Sequence, residues 1–134
     1  MTDNLRSIYE RAGGDEPFRQ LVDIFYRNVM ADARISHMFP ADLEPGKKWQ
    51  FLFITQYFGG PTRYIEERGH PRLRMRHMPF AIGTNERNAW VEAMLSAIDE
   101  VGFEPEIAEI MRNYFTSTAT FMMNRSNSDI NLNG

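Results

Sequence analysis

Cysteine is absent from this 134-residue chain, so disulfides, thiolate nucleophiles and cysteine-rich metal sites are all excluded, and a reducing cytoplasm is the expected setting. Long apolar runs are missing as well. No segment approaches the ~20 residues of a membrane span, and Met1-Thr2-Asp3-Asn4-Leu5-Arg6 lacks the apolar stretch of a secretory leader, so no membrane partner is expected. A strong charge excess is also lacking. Fifteen basic against 18 acidic side chains give a net charge of -3, which provides no overall attraction to nucleic acid or to an anionic membrane. Strand-type alternation is scarce and there is no internal repeat. What remains, 43% hydrophobic and 13% aromatic, suits a single globular domain that buries roughly two thirds of its unfolded surface.

Helical periodicity, by contrast, is strong. After Pro17, the residues Phe18, Leu21, Val22, Phe25, Tyr26 and Val29 recur at helical spacing, with the proline in a first turn where its missing N–H costs nothing. A second helix is expected after Pro45, buried on most sides, carrying Gln50-Phe51-Leu52-Phe53-Ile54 and Tyr57-Phe58 until Gly59-Gly60-Pro61 stops it. Thr84 and Glu86 begin a third, with Trp90, Met94, Ile98 and Val101 on one face before Gly102. Pro105 opens a fourth, with the stripe Ile107, Ile110, Met111, Tyr114, Thr118, Phe121 and Met122. Short helical pieces are expected at Leu5 to Arg11 and Ala33 to Met38. The domain is expected to span residues 1–123, followed by a flexible polar tail, 124–134, rich in asparagine.

The segment from Gly59 to Gly83 does not read as packing. Its 25 residues exceed the usual loop of a compact domain, and such loops are often functional. It holds Arg63, Arg68, Arg72, Arg74 and Arg76 against only Glu66 and Glu67, and two of the three histidines, His70 and His77. Leu73 to Met78 allows one or two helical turns that Pro79 must end. These residues fit a solvated basic face with a surface histidine. They equally fit a ligand with an apolar body, an anionic rim and a central metal: His77 for the metal, arginine for the rim, and Met75, Met78 and Phe80 for the body. Haem has that description.

Larger motifs carry a resemblance. Ile8-Tyr9-Glu10-Arg11-Ala12-Gly13-Gly14, Phe25-Tyr26, Phe39-Pro40, Gln56-Tyr57-Phe58-Gly59-Gly60-Pro61 and Gly69-His70-Pro71-Arg72-Leu73-Arg74-Met75-Arg76-His77-Met78-Pro79-Phe80 resemble, in order and spacing, the group II truncated haemoglobins. The resemblance runs from about Leu5 to Asn124. It implies an all-α, truncated globin-like two-over-two helical sandwich around one haem b (iron protoporphyrin IX). It further implies His77 as the iron ligand, Arg76 and Tyr64 toward the propionates, Phe80 beside the cofactor, and Tyr26, Phe39, Gly46, Gln50 and Trp90 on the oxygen-binding side.

Each oxygen-side residue can be weighed on its own chemistry. Tyr26 and Trp90 suit core positions, yet a buried hydroxyl needs a partner and an indole only donates. Gln50 lies on the face shared by Gly46, Phe53, Ile54 and Tyr57, and a buried amide in an apolar helix needs a reason. Gly46 implies an open path to iron. Phe39 lacks the hydroxyl of the tyrosine that some group II members carry, which leaves Tyr26, Gln50 and Trp90 as the donors.

The expected function follows from the resemblance: slow-releasing dioxygen binding, extending to other diatomic ligands, with redox chemistry such as nitric oxide dioxygenation or peroxide handling. The chain has no flavin or nicotinamide motif, so turnover implies an external reductase of unidentified kind. Storage or sensing of a diatomic gas is the alternative. His70 is expected to support loop shape, His37 to be exposed, and oligomeric state is left open.

Overall fold

The structure, a computed structural model, describes residues 7–125. Among them lie α1 (Ile8–Ala12), α2 (Asp15–Met30), a 3₁₀ turn (Ser36–Met38), α3 (Glu44–Tyr57), α4 (Arg63–Arg68), α5 (Leu73–His77), α6 (Thr84–Val101) and α7 (Pro105–Phe121), with no strand among the described residues. None of the described helices is long and apolar enough to cross a membrane.

Local chemistry sets the element ends. Ser7 Oγ caps α1 by accepting from Glu10 N–H at 3.1 Å, and Gly13, at φ 109°, ends it in the left-handed region that glycine enters without strain. Asp15 and Glu16 then place negative charge in the first turn of α2. The Gly83 N–H donates to Glu86 Oε1 at 2.8 Å at the start of α6, and prolines stand in the first turns of α3 and α7.

Burial then selects the faces. Phe18, Leu21, Val22, Phe25, Tyr26 and Val29 on α2 are all buried. They pack across α6, where Ala89, Ala93, Met94, Ala97 and Ile98 join the same core. With α2 against α3 and α6 against α7, the four long helices form two crossed pairs, a two-over-two sandwich. Each fully buried Phe or Leu at that crossing contributes roughly 1.5 to 3 kcal/mol of transfer free energy.

Three sequence expectations change. The segment from Gly59 to Gly83 contains α4 as well as the expected short α5, because Tyr64 is buried and Thr62 Oγ1 donates to Glu66 at 2.6 Å across one turn. The α7 stripe is rotated. Ile107, Ala108, Met111, Phe115 and Ala119 are buried, with Phe115 against Trp90 of α6 at 5.9 Å, whereas Ile110 and Phe121 are exposed. Finally, α3 is not covered on most sides. Phe51, Leu52, Ile54 and Thr55 are buried, but Gly46, Gln50, Phe53 and Tyr57 form a stripe that is half-buried or exposed.

The expected short helix at Ala33 to Met38 is reduced to the 3₁₀ turn. Leu5 and Arg6 lie outside the described residues, as does the expected tail from residue 126 onward. Asn124, where that tail was expected to begin, is hydrogen-bonded to the segment before α6.

Candidate functional site

His77 closes α5. Its Nδ1 lies 2.6 Å from the Leu73 carbonyl, and because a carbonyl only accepts, Nδ1 carries the proton and donates. That tautomer leaves the Nε2 lone pair for a metal. Among the described residues no group of three or more His, Cys, Asp or Glu could hold a metal ion. Haem brings four nitrogen ligands of its own.

Around His77 the apolar side chains Met75, Met78 and Phe80 are 58%, 53% and 42% exposed. Apolar surface left uncovered beside a single imidazole, together with the open stripe on α3, is what a flat apolar ligand covers. Charge is available for its rim. Arg63 is committed to Asp15 through bonds of 2.8 and 3.1 Å, but Arg68, Arg72, Arg74 and Arg76 have no carboxylate partner among the described residues. Arg76 Nε donates to the Pro71 carbonyl at 2.8 Å, which steadies its guanidinium against the loop.

Tyr64 is 2% exposed, wedged edge-on against Trp49 and Phe53, with its hydroxyl accepting from Arg68 at 3.4 Å. Arg68 also lies over the Trp49 ring at 4.6 Å. The exposed group at this corner is therefore Arg68, one of the five arginines of the basic segment, placed one helical turn after Tyr64.

On the opposite side Tyr26, Phe39 and Gly46 come together. The Tyr26 and Phe39 rings meet edge to face at 5.7 Å, and the Tyr26 hydroxyl sits where a Cβ on Gly46 would be only 2.6 Å away. Among the described residues nothing hydrogen-bonds that hydroxyl, and burial pushes its pKa up to about 12. It stays protonated and able to donate throughout the neutral range.

Gln50 follows Gly46 by four residues on α3, and its Oε1 is buried without a hydrogen-bond partner. Trp90 is half-buried and reaches Tyr26 only through Phe25, with ring centroids 5.1 Å from Trp90 to Phe25 and 5.5 Å from Phe25 to Tyr26. Phe115, which the sequence reading missed, backs Trp90 at 5.9 Å. Unsatisfied buried polar groups in a native fold call for a partner from outside the chain. The free Nε2, the orphaned Gln50 oxygen and the uncovered apolar stripe together fit haem with a small polar ligand.

The other histidines stand apart. His37 is exposed on the 3₁₀ turn, and His70 Nδ1 accepts from Arg72 N–H at 3.0 Å, beside the left-handed backbone of Arg72 at φ 48°.

Fold and site residues together define a haem-binding globin of the two-over-two kind. The family model of bacterial-like globins matches residues 7–124, and the chain belongs to that family as a group II truncated haemoglobin. It is 44% identical to the group 2 truncated hemoglobin YjbI of Bacillus subtilis, over 96% of this chain and 97% of that one. Among solved structures it is similar to the hemoglobin of Chloroflexus aurantiacus, with 58% identity, a TM-score of 0.88, and 90% and 99% of the two chains covered. It is also similar to the truncated oxygen-avid haemoglobin of Bacillus subtilis, with 43% identity, a TM-score of 0.85, and 89% and 100% covered. The chain accordingly binds haem b, and with it dioxygen.

Proposed function

We propose that the protein holds dioxygen tightly and carries out redox chemistry on it, converting nitric oxide to nitrate or handling peroxide. Electrons come from an external reductase, and the setting is the cytoplasm. Haem, when bound, would supply a ferrous iron as the centre for dioxygen. His77 holds that iron through Nε2 while Leu73 fixes the tautomer. Phe39, Gly46 and Phe80 line the cofactor, and Arg76 and Tyr64, with Arg68 beside the latter, meet its propionates.

Tyr26, Gln50 and Trp90 are the donors toward the ligand side. The observation that carries this reading is the pair of polar groups without a protein partner, the Tyr26 hydroxyl and the Gln50 amide. A terminal amide can present either its oxygen or its N–H₂ to a ligand, so the orphaned position serves as a donor after a rotation of the amide. If each donor adds about 1 to 1.5 kcal/mol, two of them slow dioxygen release by roughly 30- to 150-fold. Slow release suits chemistry on the bound gas better than delivery of it. The oxygen-avid relative from Bacillus subtilis supports the same reading.

The test is nitric oxide consumption by the aerobic holoprotein with excess reductant. Sustained turnover producing nitrate is expected. Consumption that stops after one equivalent, whatever the reductant, favours storage or sensing.

A further inference from the structure

One asparagine side chain gathers three backbone groups of the segment between α5 and α6. Asn124 Nδ2 donates to the Phe80 carbonyl at 2.8 Å and to the His77 carbonyl at 3.4 Å, while Oδ1 accepts from the Ile82 N–H at 2.9 Å. The main chain repeats the tie. The N–H groups of Asn124 and Arg125 both donate to the Ile82 carbonyl, at 2.9 and 3.1 Å. Pro79 explains why such help is needed. It lies in the middle of this segment, lacks an N–H and prevents α5 from continuing; the His77 carbonyl then accepts from the Phe80 N–H at 3.0 Å, and the Phe80 carbonyl takes its donor from Asn124.

An asparagine suits the position chemically, because a short side chain with two donors and one acceptor is required. Ile82 and Met122 are both buried, so the tie is fixed at both of its ends. His77 is thereby held at both ends: its ring by the Leu73 carbonyl inside α5, and its own carbonyl by the Phe80 N–H and, more distantly, by a residue 47 positions further along the chain.

We propose that Asn124 is a positioning residue for the iron ligand, clamping residues 77–82 to the end of α7 and so setting how the His77 imidazole is presented to haem. The proposal rests on the assignment of His77 as that ligand. In the reduced holoprotein the clamp is read by the iron–histidine stretching band in resonance Raman spectra, which responds to imidazole orientation and strain. Amide exchange at Ile82 reads the clamp itself.

Two variants separate its parts. N124A removes every side-chain bond, whereas N124D keeps the acceptor for Ile82 and loses both donations to the carbonyls. The band is expected to shift or broaden in both variants. Ile82 exchange is expected to quicken about tenfold in N124A, the equivalent of one lost hydrogen bond, and to stay near wild type in N124D. A wild-type band in both variants, each holding haem with wild-type helix content, overturns the proposal. N124D alone decides it if N124A loses its fold. Absence of the band from the wild-type protein overturns the His77 assignment and the clamp with it, so the two failures differ in which protein lacks the signal.

Discussion

The Tyr26 hydroxyl occupies space that only a glycine at position 46 leaves free, with 2.6 Å between Oη and an added Cβ. The sequence suggests an open path to iron at Gly46; the contact adds a reason internal to the fold. Gly46→Ala is expected to push the hydroxyl out of place and to speed dioxygen release by about tenfold, the effect of one weakened hydrogen bond. Stability is expected to change by less than about 1 kcal/mol, because alanine's better helix propensity offsets part of the crowding on α3. Stopped-flow release beside chemical denaturation checks both parts.

Tyr26→Phe removes a hydroxyl that has no protein partner, so the apoprotein is expected to lose no stability at neutral pH while dioxygen release quickens. The alkaline limb carries a second signature. Burial raises the folded pKa of Tyr26 to about 12 from an ordinary 10, so its stabilising contribution is complete below pH 10 and is lost as pH rises toward 12. Tyr114 is pushed to about 12 by burial in the same way. Denaturation midpoints of the wild-type apoprotein are expected to fall between pH 10 and 12, and less steeply in the variant.

Trp90→Phe keeps an aromatic ring against Phe25 and Phe115 and deletes the indole donor. Dioxygen release is expected to accelerate at least several-fold with little change in melting temperature. Unchanged release takes the indole out of the mechanism.

Asp15 accepts from Tyr9 at 2.6 Å and from two nitrogens of Arg63, so one carboxylate ties α1, α2 and α4 together. The Arg63 guanidinium holds the Asp15 pKa below its usual value. That contribution is present above the unfolded pKa near 3.9 and is lost as pH falls through the folded one. Since both side chains are about a third exposed, Asp15→Asn is expected to cost only about 1 kcal/mol at pH 7. The difference from wild type is expected to shrink as pH falls below the unfolded value, as urea titrations at pH 7 and pH 3 measure.

Much of this arrangement was legible in the sequence. The stripe from Phe18 to Val29, the prolines at 45 and 105 and the glycine at 102 are local signals, and local signals place long helices. The rest depends on partners distant in the chain. Helix α4 is six residues whose only buried side chain is Tyr64, held by Trp49 and Phe53 from another helix, so no periodicity could announce it. Asn124 looks like the first residue of a polar tail until Phe80 and Ile82 come alongside it. On α7 the expected Ile107, Met111 and Met122 are buried, but Ile110 and Phe121 are apolar and face outward, and Phe115 rather than Phe121 meets Trp90. At the site, residue chemistry named the candidates, but only the fold sets the Tyr26 hydroxyl against Gly46.

His77 as the iron ligand and the open oxygen side are both read by the visible absorption spectrum of the haem-loaded protein. Reduced under argon, the wild type is expected to give a five-coordinate ferrous spectrum that air converts to a stable oxy form, with both features lost or altered in His77→Gly. A six-coordinate ferrous spectrum in the wild type, or a His77→Gly variant indistinguishable from it, would contradict the account.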